Sequence, residues 1–166
     1  CPGAALHQEG QEVSIESLPY IGFKLMREGA RLPKRATSHS GALDLFSPVG
    51  GVVPPHSRLL VPTGVAHQIP LLSSVFQIQG VILSRSGLAA KEGIRSFFEG
   101  LIDHDYRGEI HITLENTTDK PFHFKAGDRL VQIMYVPAFV GRIDEMESLT
   151  ETSRGSGGFG STGRGE

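Results

Sequence analysis

Glu109-Ile-His-Ile-Thr-Leu-Glu115 alternates strictly between polar and apolar side chains. A period of two puts every second side chain on one face, so this stretch reads as a strand with one face buried. Outward from it, short apolar runs recur between turn residues. Upstream lie Gly22-Phe-Lys-Leu-Met26, Leu59-Leu-Val61, Val65-Ala-His-Gln-Ile69, Ser74-Val-Phe-Gln-Ile78 and Gly80-Val-Ile-Leu83. Downstream, Phe122-His-Phe124 and Leu130-Val-Gln-Ile-Met-Tyr-Val136 continue the pattern. Prolines at 33, 48, 54, 55, 62, 70, 121 and 137 punctuate the runs and argue against long helices. Only Ser86-Gly-Leu-Ala-Ala-Lys-Glu92 reads as a short helix. The expected fold is all-β: a sandwich, barrel or jelly roll.

Residues 1–19 lack a strong period and read as a flexible leader. Residues 20–146 form the expected domain, and residues 147–166 a glycine-rich arm. With 166 residues the chain is long enough for one domain with a real core. Sixteen basic and eighteen acidic residues give a net charge of −2, so no global basic field holds duplex nucleic acid. No apolar run approaches the length of a membrane span, and no signal peptide is visible. Cys1 is the only cysteine, which rules out an intrachain disulfide and suits a reducing, intracellular compartment. The seven histidines show no helical metal-ligand spacing, so a zinc site is not expected.

Five segments carry chemistry. Ser84-Arg-Ser-Gly87 follows an apolar strand and opens the helix, a geometry that binds anions through N–H groups, the Ser86 hydroxyl and Arg85; a helix cap by Ser84 or Ser86 is the competing reading. Gly100-Leu-Ile-Asp-His-Asp-Tyr-Arg-Gly108 lies between two extended runs and reads as a hairpin end. Its backbone can read the edge of a pyrimidine, Asp103 can take a proton from water, and Tyr106 adds an aromatic face. An ordinary polar turn competes. Gln132 puts an amide inside an apolar strand, either to hold water or to bridge strands. Asp44, in Ser40-Gly-Ala-Leu-Asp-Leu-Phe46, can help organise Mg2+ through water or bond to backbone. Finally, Arg154-Gly-Ser-Gly-Gly-Phe-Gly-Ser-Thr-Gly163 combines a phosphate-binding guanidinium, crowded N–H donors and a ring for stacking on a base, as in a nucleotide lid. A plain Gly/Ser linker is the alternative.

In this order, the five segments resemble the five motifs of the trimeric deoxyuridine triphosphatases (dUTPases), from about Pro19 to Gly163. The resemblance implies a distorted jelly-roll or β-clip homotrimer with active sites at subunit contacts. It implies Mg2+-assisted cleavage of dUTP between the α and β phosphates, giving dUMP and pyrophosphate. Such an activity keeps uracil out of DNA and supplies dUMP for dTMP synthesis. Carried over residue by residue, Asp103 activates water and touches the 3′-OH, while Tyr106 packs under the deoxyribose and excludes a 2′-OH. Backbone over Gly100, Leu101, Ile102 and Asp103 to Tyr106, and near His111, reads uracil. Arg85, Ser86 and Gly87 hold phosphates, and Gln132 lies near the water. Arg154 closes on the phosphates, Phe159 covers the uracil, and Gly160, Ser161 and Thr162 complete the lid. Asp44 takes the water-mediated magnesium role.

Two places depart from the family pattern. Gly41-Ala42-Leu43 stands where Ala-Gly-Tyr is common, and Ser96-Phe-Phe-Glu99 is bulkier than usual before the hairpin. Competing functions are a dCTP deaminase, distinguished by ammonia rather than pyrophosphate release, and a non-catalytic or signalling protein on the same fold.

Overall fold

The computed structural model describes residues 20–71, 73–97 and 100–157. The expected leader lies outside them, as do Phe98, Glu99 and the lid residues Phe159, Gly160, Ser161 and Thr162.

The described chain is almost entirely β. In order it forms β1 (Gly22–Leu25), β2 (Ala42–Phe46), β3 (Gly51–Val53), β4 (Arg58–Pro62), β5 (Val65–Gln68) and β6 (Phe76–Ser84). Helix α1 (Ser86–Glu92) follows, then β7 (Ile94–Ser96), β8 (Leu101–Ile102), β9 (His111–Asn116), β10 (Phe122–Phe124) and β11 (Arg129–Phe139). The strands group as β2-β11-β6-β8, β4-β9-β7, β1-β5 and β3-β10, each pairing antiparallel. Neighbours in a sheet are mostly distant in sequence, as in a jelly roll. No helix among the described residues is long and apolar enough to cross a membrane.

Alternation in β9 translates directly into burial. Ile112, Leu114 and Asn116 are inside while His111 is exposed. Leu114 joins Leu45, Val53, Val61, Val65, Ile82, Ile94, Phe124, Val131 and Ile133 in one core drawn from every sheet, Val65 being the contribution of β1-β5. Burying these faces is the main driving force for closing the sheets on one another. Asn116, polar yet fully buried, is satisfied on all sides: its amide donates to the carbonyls of Val53 and Lys120, and its oxygen accepts from Thr118.

Three expectations are corrected. The runs Ser74–Ile78 and Gly80–Leu83 form one strand, β6, rather than two. Gly80 continues the strand because β11 and β8 press on it: a Cβ there would sit 2.8 Å from Ile133 Cδ1 and 3.4 Å from Ile102 Cβ. The segment Gly100–Gly108 is not the end of a simple hairpin. The stem is β7 paired with β9, Ser96 opposite Leu114, but between them the chain crosses to the other sheet and β8 pairs with β6. The bend is thus held by two sheets. Neither Ser84 nor Ser86 caps α1. Arg85 occupies the N-cap with no side-chain cap bond, and Ser84 Oγ instead accepts the Ser96 N–H at 3.0 Å. The helix stops at Gly93, whose φ of 64° suits a residue without Cβ. Pro137 is tolerated in β11 because β2 covers only Arg129 to Met134, leaving Pro137 with β6 as its one neighbour.

Candidate active site

Strand pairing assembles one group of candidate residues at the Ser84 end of β6. Gln132 in β11 lies between Asp44 of β2 and Leu83 of β6. Arg85 follows directly as β6 ends, with Ser86 and Gly87 exposed in the first turn of α1. Asp44 is 6% exposed, and a carboxylate at that depth needs charge partners. It has two: Arg85 Nε at 3.3 Å from Oδ1 and Arg129 Nη1 at 2.9 Å from Oδ2. Arg85 Nη1 also donates to the Arg129 carbonyl at 2.7 Å. The Asp44 carboxylate is therefore neither bonded to backbone nor free to bind a metal directly. It holds two guanidinium groups side by side, and they concentrate positive charge beside the exposed N–H groups of Ser86 and Gly87. Such a cluster suits a polyanion.

Removing that charge has a defined expected result. Asp44→Asn leaves two cations sharing a neutral amide, and should cost about 1–3 kcal/mol, the lower part of the range applying because both arginines reach solvent. Urea unfolding of the variant against the unmodified chain measures the difference.

The second group sits at the bend. Asp103 and Tyr106 are exposed, and Tyr106 N–H closes the turn on the Asp103 carbonyl at 3.1 Å. Tyr106 Oη donates to the Glu109 carbonyl at 3.0 Å, which folds the ring back over Gly108. A Cβ on Gly108 would collide with that hydroxyl oxygen, so the ring's position requires glycine there. Arg107 ties the turn from outside by donating to the carbonyls of His104 and Tyr106. His111 Nδ1 lies 3.0 Å from the Glu109 carbonyl, at the start of β9. Glu109 itself accepts from Gly64 N–H and pairs with Arg27, fixing the strand entry.

Within one chain the two groups do not meet. Asp103 falls opposite Gln79 by continuation of the β6–β8 register, and Arg85 lies six residues further along the same extended backbone. At roughly 3.3 Å per residue the separation is about 20 Å. A cavity of about 480 Å³ opens near the bend, lined by residues including Phe23, Lys24, His67 and Arg107. None of Asp44, Arg85 or Gln132 lines it. Of the arm, Arg154 is described and exposed in a turn, bonded to Gly157 through its carbonyl.

Gln132 is half-buried rather than enclosed. Of the bulky Ser96–Glu99 departure, Phe97 packs under Arg58, whose guanidinium carbon is 3.2 Å from the ring centroid, and Phe98 and Glu99 lie outside the described residues. Arg129, which the motif reading left without a role, turns out to share Asp44 with Arg85. The sequence shows only that a carboxylate in an apolar strand demands cations; that Arg129 is one of them follows from β11, which Arg129 opens, pairing with β2. Gln79 and His67 were also missed. Each is a polar residue interrupting an apolar run, just as Gln132 is. No group of three or more His, Cys, Asp or Glu side chains able to hold a metal occurs among the described residues.

Comparison with known proteins bears on the whole arrangement. The family model described as dUTPase matches residues 28–163. A deoxyuridine 5′-triphosphate nucleotidohydrolase of Wolbachia sp. subsp. Brugia malayi is 44% identical over 138 residues, covering 80% of this chain and 85% of the relative. The mitochondrial deoxyuridine 5′-triphosphate nucleotidohydrolase of Homo sapiens is 39% identical over 144 residues, covering 87% of this chain and 55% of the relative. Among solved structures, the dUTPase of Staphylococcus bacteriophage 80alpha with dUPNHPP superposes with a TM-score of 0.79 at 25% identity, covering 87% of this chain and 99% of the other. A mutant dUTPase of phage phi11 of S. aureus, whose structure details the coordination of a structural Mg(II) ion, superposes at a TM-score of 0.69 and 23% identity, covering 78% and 97%. The match runs from before β2 into the glycine-rich arm and takes in all five segments, and on that ground the chain belongs to the dUTPase family.

Proposed function

We propose that this chain hydrolyses dUTP to dUMP and pyrophosphate, at sites built between copies of a homotrimer. The observation that carries the shared-site reading is the distance of about 20 Å, along β6, between the Asp103 bend and the Asp44–Arg85–Arg129 group. A triphosphate cannot engage both ends in one subunit, yet the two ends have complementary chemistry. Residues 147–166 would then act as an arm over a neighbouring site. The exposure of Ile143, Met146 and Leu149, at 96%, 66% and 83%, supports that reading, since apolar side chains leading into the arm find no cover on their own subunit.

The mechanism follows from what each group can do. Asp103, exposed at a tied bend, takes the proton of the attacking water and touches the 3′-OH. Backbone from Gly100 to Ile102 and near His111 reads the uracil edge. Tyr106 lies under the sugar and excludes a 2′-OH. Arg85, Ser86 and Gly87 of a second copy receive the phosphates, with Gln132 beside the water. Arg154 closes over the phosphates and Phe159 over the base. Charge-stabilising donors of this kind are typically worth ~3–4 kcal/mol each. Mg2+ fits here through water, because each Asp44 oxygen already meets a guanidinium and keeps a lone pair only for a solvent molecule. When bound, the ion supplies positive charge to the triphosphate, chiefly through the phosphate oxygens themselves.

Pyrophosphate release from dUTP, dCTP, dTTP and UTP tests the assignment. Turnover of dUTP alone is the expected outcome, and ammonia from dCTP would mark a deaminase instead. Discrimination against UTP should rest on the Tyr106 ring. Gly108→Ala, which evicts the Tyr106 hydroxyl from its place, is expected to narrow the dUTP/UTP ratio of kcat/KM by about tenfold, mostly through loss on dUTP. Steady-state kinetics on both nucleotides check it.

A further inference from the structure

One peptide group at the bend is held from both ends by buried side chains. The carbonyl of Asp103 accepts from His67 Nε2 at 3.3 Å, and the N–H of His104 donates to Gln79 Oε1 at 2.6 Å. These two atoms belong to the same Asp103–His104 peptide plane. His67, on β5, is 1% exposed, and Gln79, on β6, is 6% exposed. Behind His67, its Nδ1 lies 3.0 Å from Tyr135 Oη on β11. Three strands from two sheets therefore converge on one peptide unit.

We infer that His67 and Gln79 are positioning residues that fix the direction of the Asp103 side chain. The inference rests on the proposed role of Asp103 as the base. A peptide plane clamped at its oxygen and its nitrogen sets ψ of Asp103 and φ of His104, and with them the Cα–Cβ bond that aims the carboxylate. The Tyr106 N–H closes the turn on the same carbonyl and Arg107 ties it from outside, while His67 and Gln79 anchor the peptide to the sheets behind it. Ladder bonds do not reach this peptide, because β8 ends at Ile102. Side chains take over where the ladder stops.

One hydrogen-bond role is forced: a carbonyl oxygen only accepts, so His67 carries a proton on Nε2. In the neutral imidazole, which burial favours, Nδ1 then accepts from the Tyr135 hydroxyl. Burial pushes the His67 imidazole below its ordinary value, with the nearby Arg107 and His104 adding to the effect and the bond to Asp103 opposing it. The Tyr135 phenol, also buried, is pushed upward and keeps its proton.

Three variants and one spectrum test the clamp. His67→Phe and Gln79→Met remove the donor and the acceptor at similar volume, while His67→Gln keeps a donor near the Nε2 position. With dUTP and Mg2+, kcat is expected to fall about 10- to 100-fold in the first two with KM within about threefold, and to recover in His67→Gln to within about threefold of the unmodified enzyme. A kcat within about twofold of the unmodified enzyme in both apolar variants, or an equal loss in His67→Gln, overturns the inference. Nitrogen-15 NMR of the unmodified protein decides it independently of any variant's folding: the expected His67 signal is the neutral tautomer protonated at Nε2, and a tautomer protonated at Nδ1 overturns the clamp. If the unmodified chain released no pyrophosphate from dUTP, the reading of the reaction would fall while the tautomer still reported on the clamp.

Discussion

Asp103→Asn is expected to lower kcat for dUTP by roughly 100- to 10,000-fold, the range that a positioned general base supplies. The amide has the same shape as the carboxylate but cannot take a proton from water. Asp103 is exposed and its backbone, not its side chain, carries the turn bonds to Tyr106 and His67. The substitution should therefore leave folding untouched. KM should change little, because the Arg85 group proposed to bind the phosphates lies elsewhere on the fold. Single-turnover kinetics with purified protein, alongside thermal unfolding, separate these effects. Near-normal turnover would remove Asp103 from the mechanism.

The second large effect is a recovery. Arg85→Ala and Asp103→Asn proteins should each be nearly inactive. Co-refolded in equal amounts, they should form mixed trimers of the proposed kind, in which some sites draw Asp103 from an Arg85→Ala chain and Arg85 from an Asp103→Asn chain. Random assortment makes about one site in four whole, so activity should rise to about a quarter of that of the unmodified enzyme. If one chain supplied both residues, every site would keep one lesion and mixing would recover nothing. Size measurement and mass analysis of the exchanged trimers establish that mixing took place. The six-residue offset along β6 is what makes the first outcome expected.

How much of this could be read in the chain depends on the range of the interaction. The alternation of Glu109–Glu115 gave β9 because a strand's period is a local property. The helix Ser86–Glu92 was legible for the same reason, down to its ends. The fusion of two apolar runs into β6 was not, since Gly80 reads as punctuation until Ile133 and Ile102 are seen packed against it. The bend was legible as a bend but not as a crossing between sheets, which only the partners of β7 and β8 reveal. The same holds for the site. Motif order located Asp44, Arg85 and Gln132, and pairing brings them together. What Asp44 does was hidden, because its second partner, Arg129, comes 85 residues later. His67 and Gln79 were invisible as a pair for the same reason: they converge on one peptide from separate sheets.

The straight run of β6 has a regulatory consequence. In the proposed trimer a lone subunit would carry both halves of the chemistry too far apart to act on one nucleotide, so a newly made chain would be inert until it found two others. At concentrations where trimers come apart, activity would then fall with the third power of chain concentration rather than in proportion to it. An enzyme assembled in the proposed way would respond to its own abundance as a threshold: a modest drop in synthesis, or a modest weakening of assembly, would lower its activity more than in proportion.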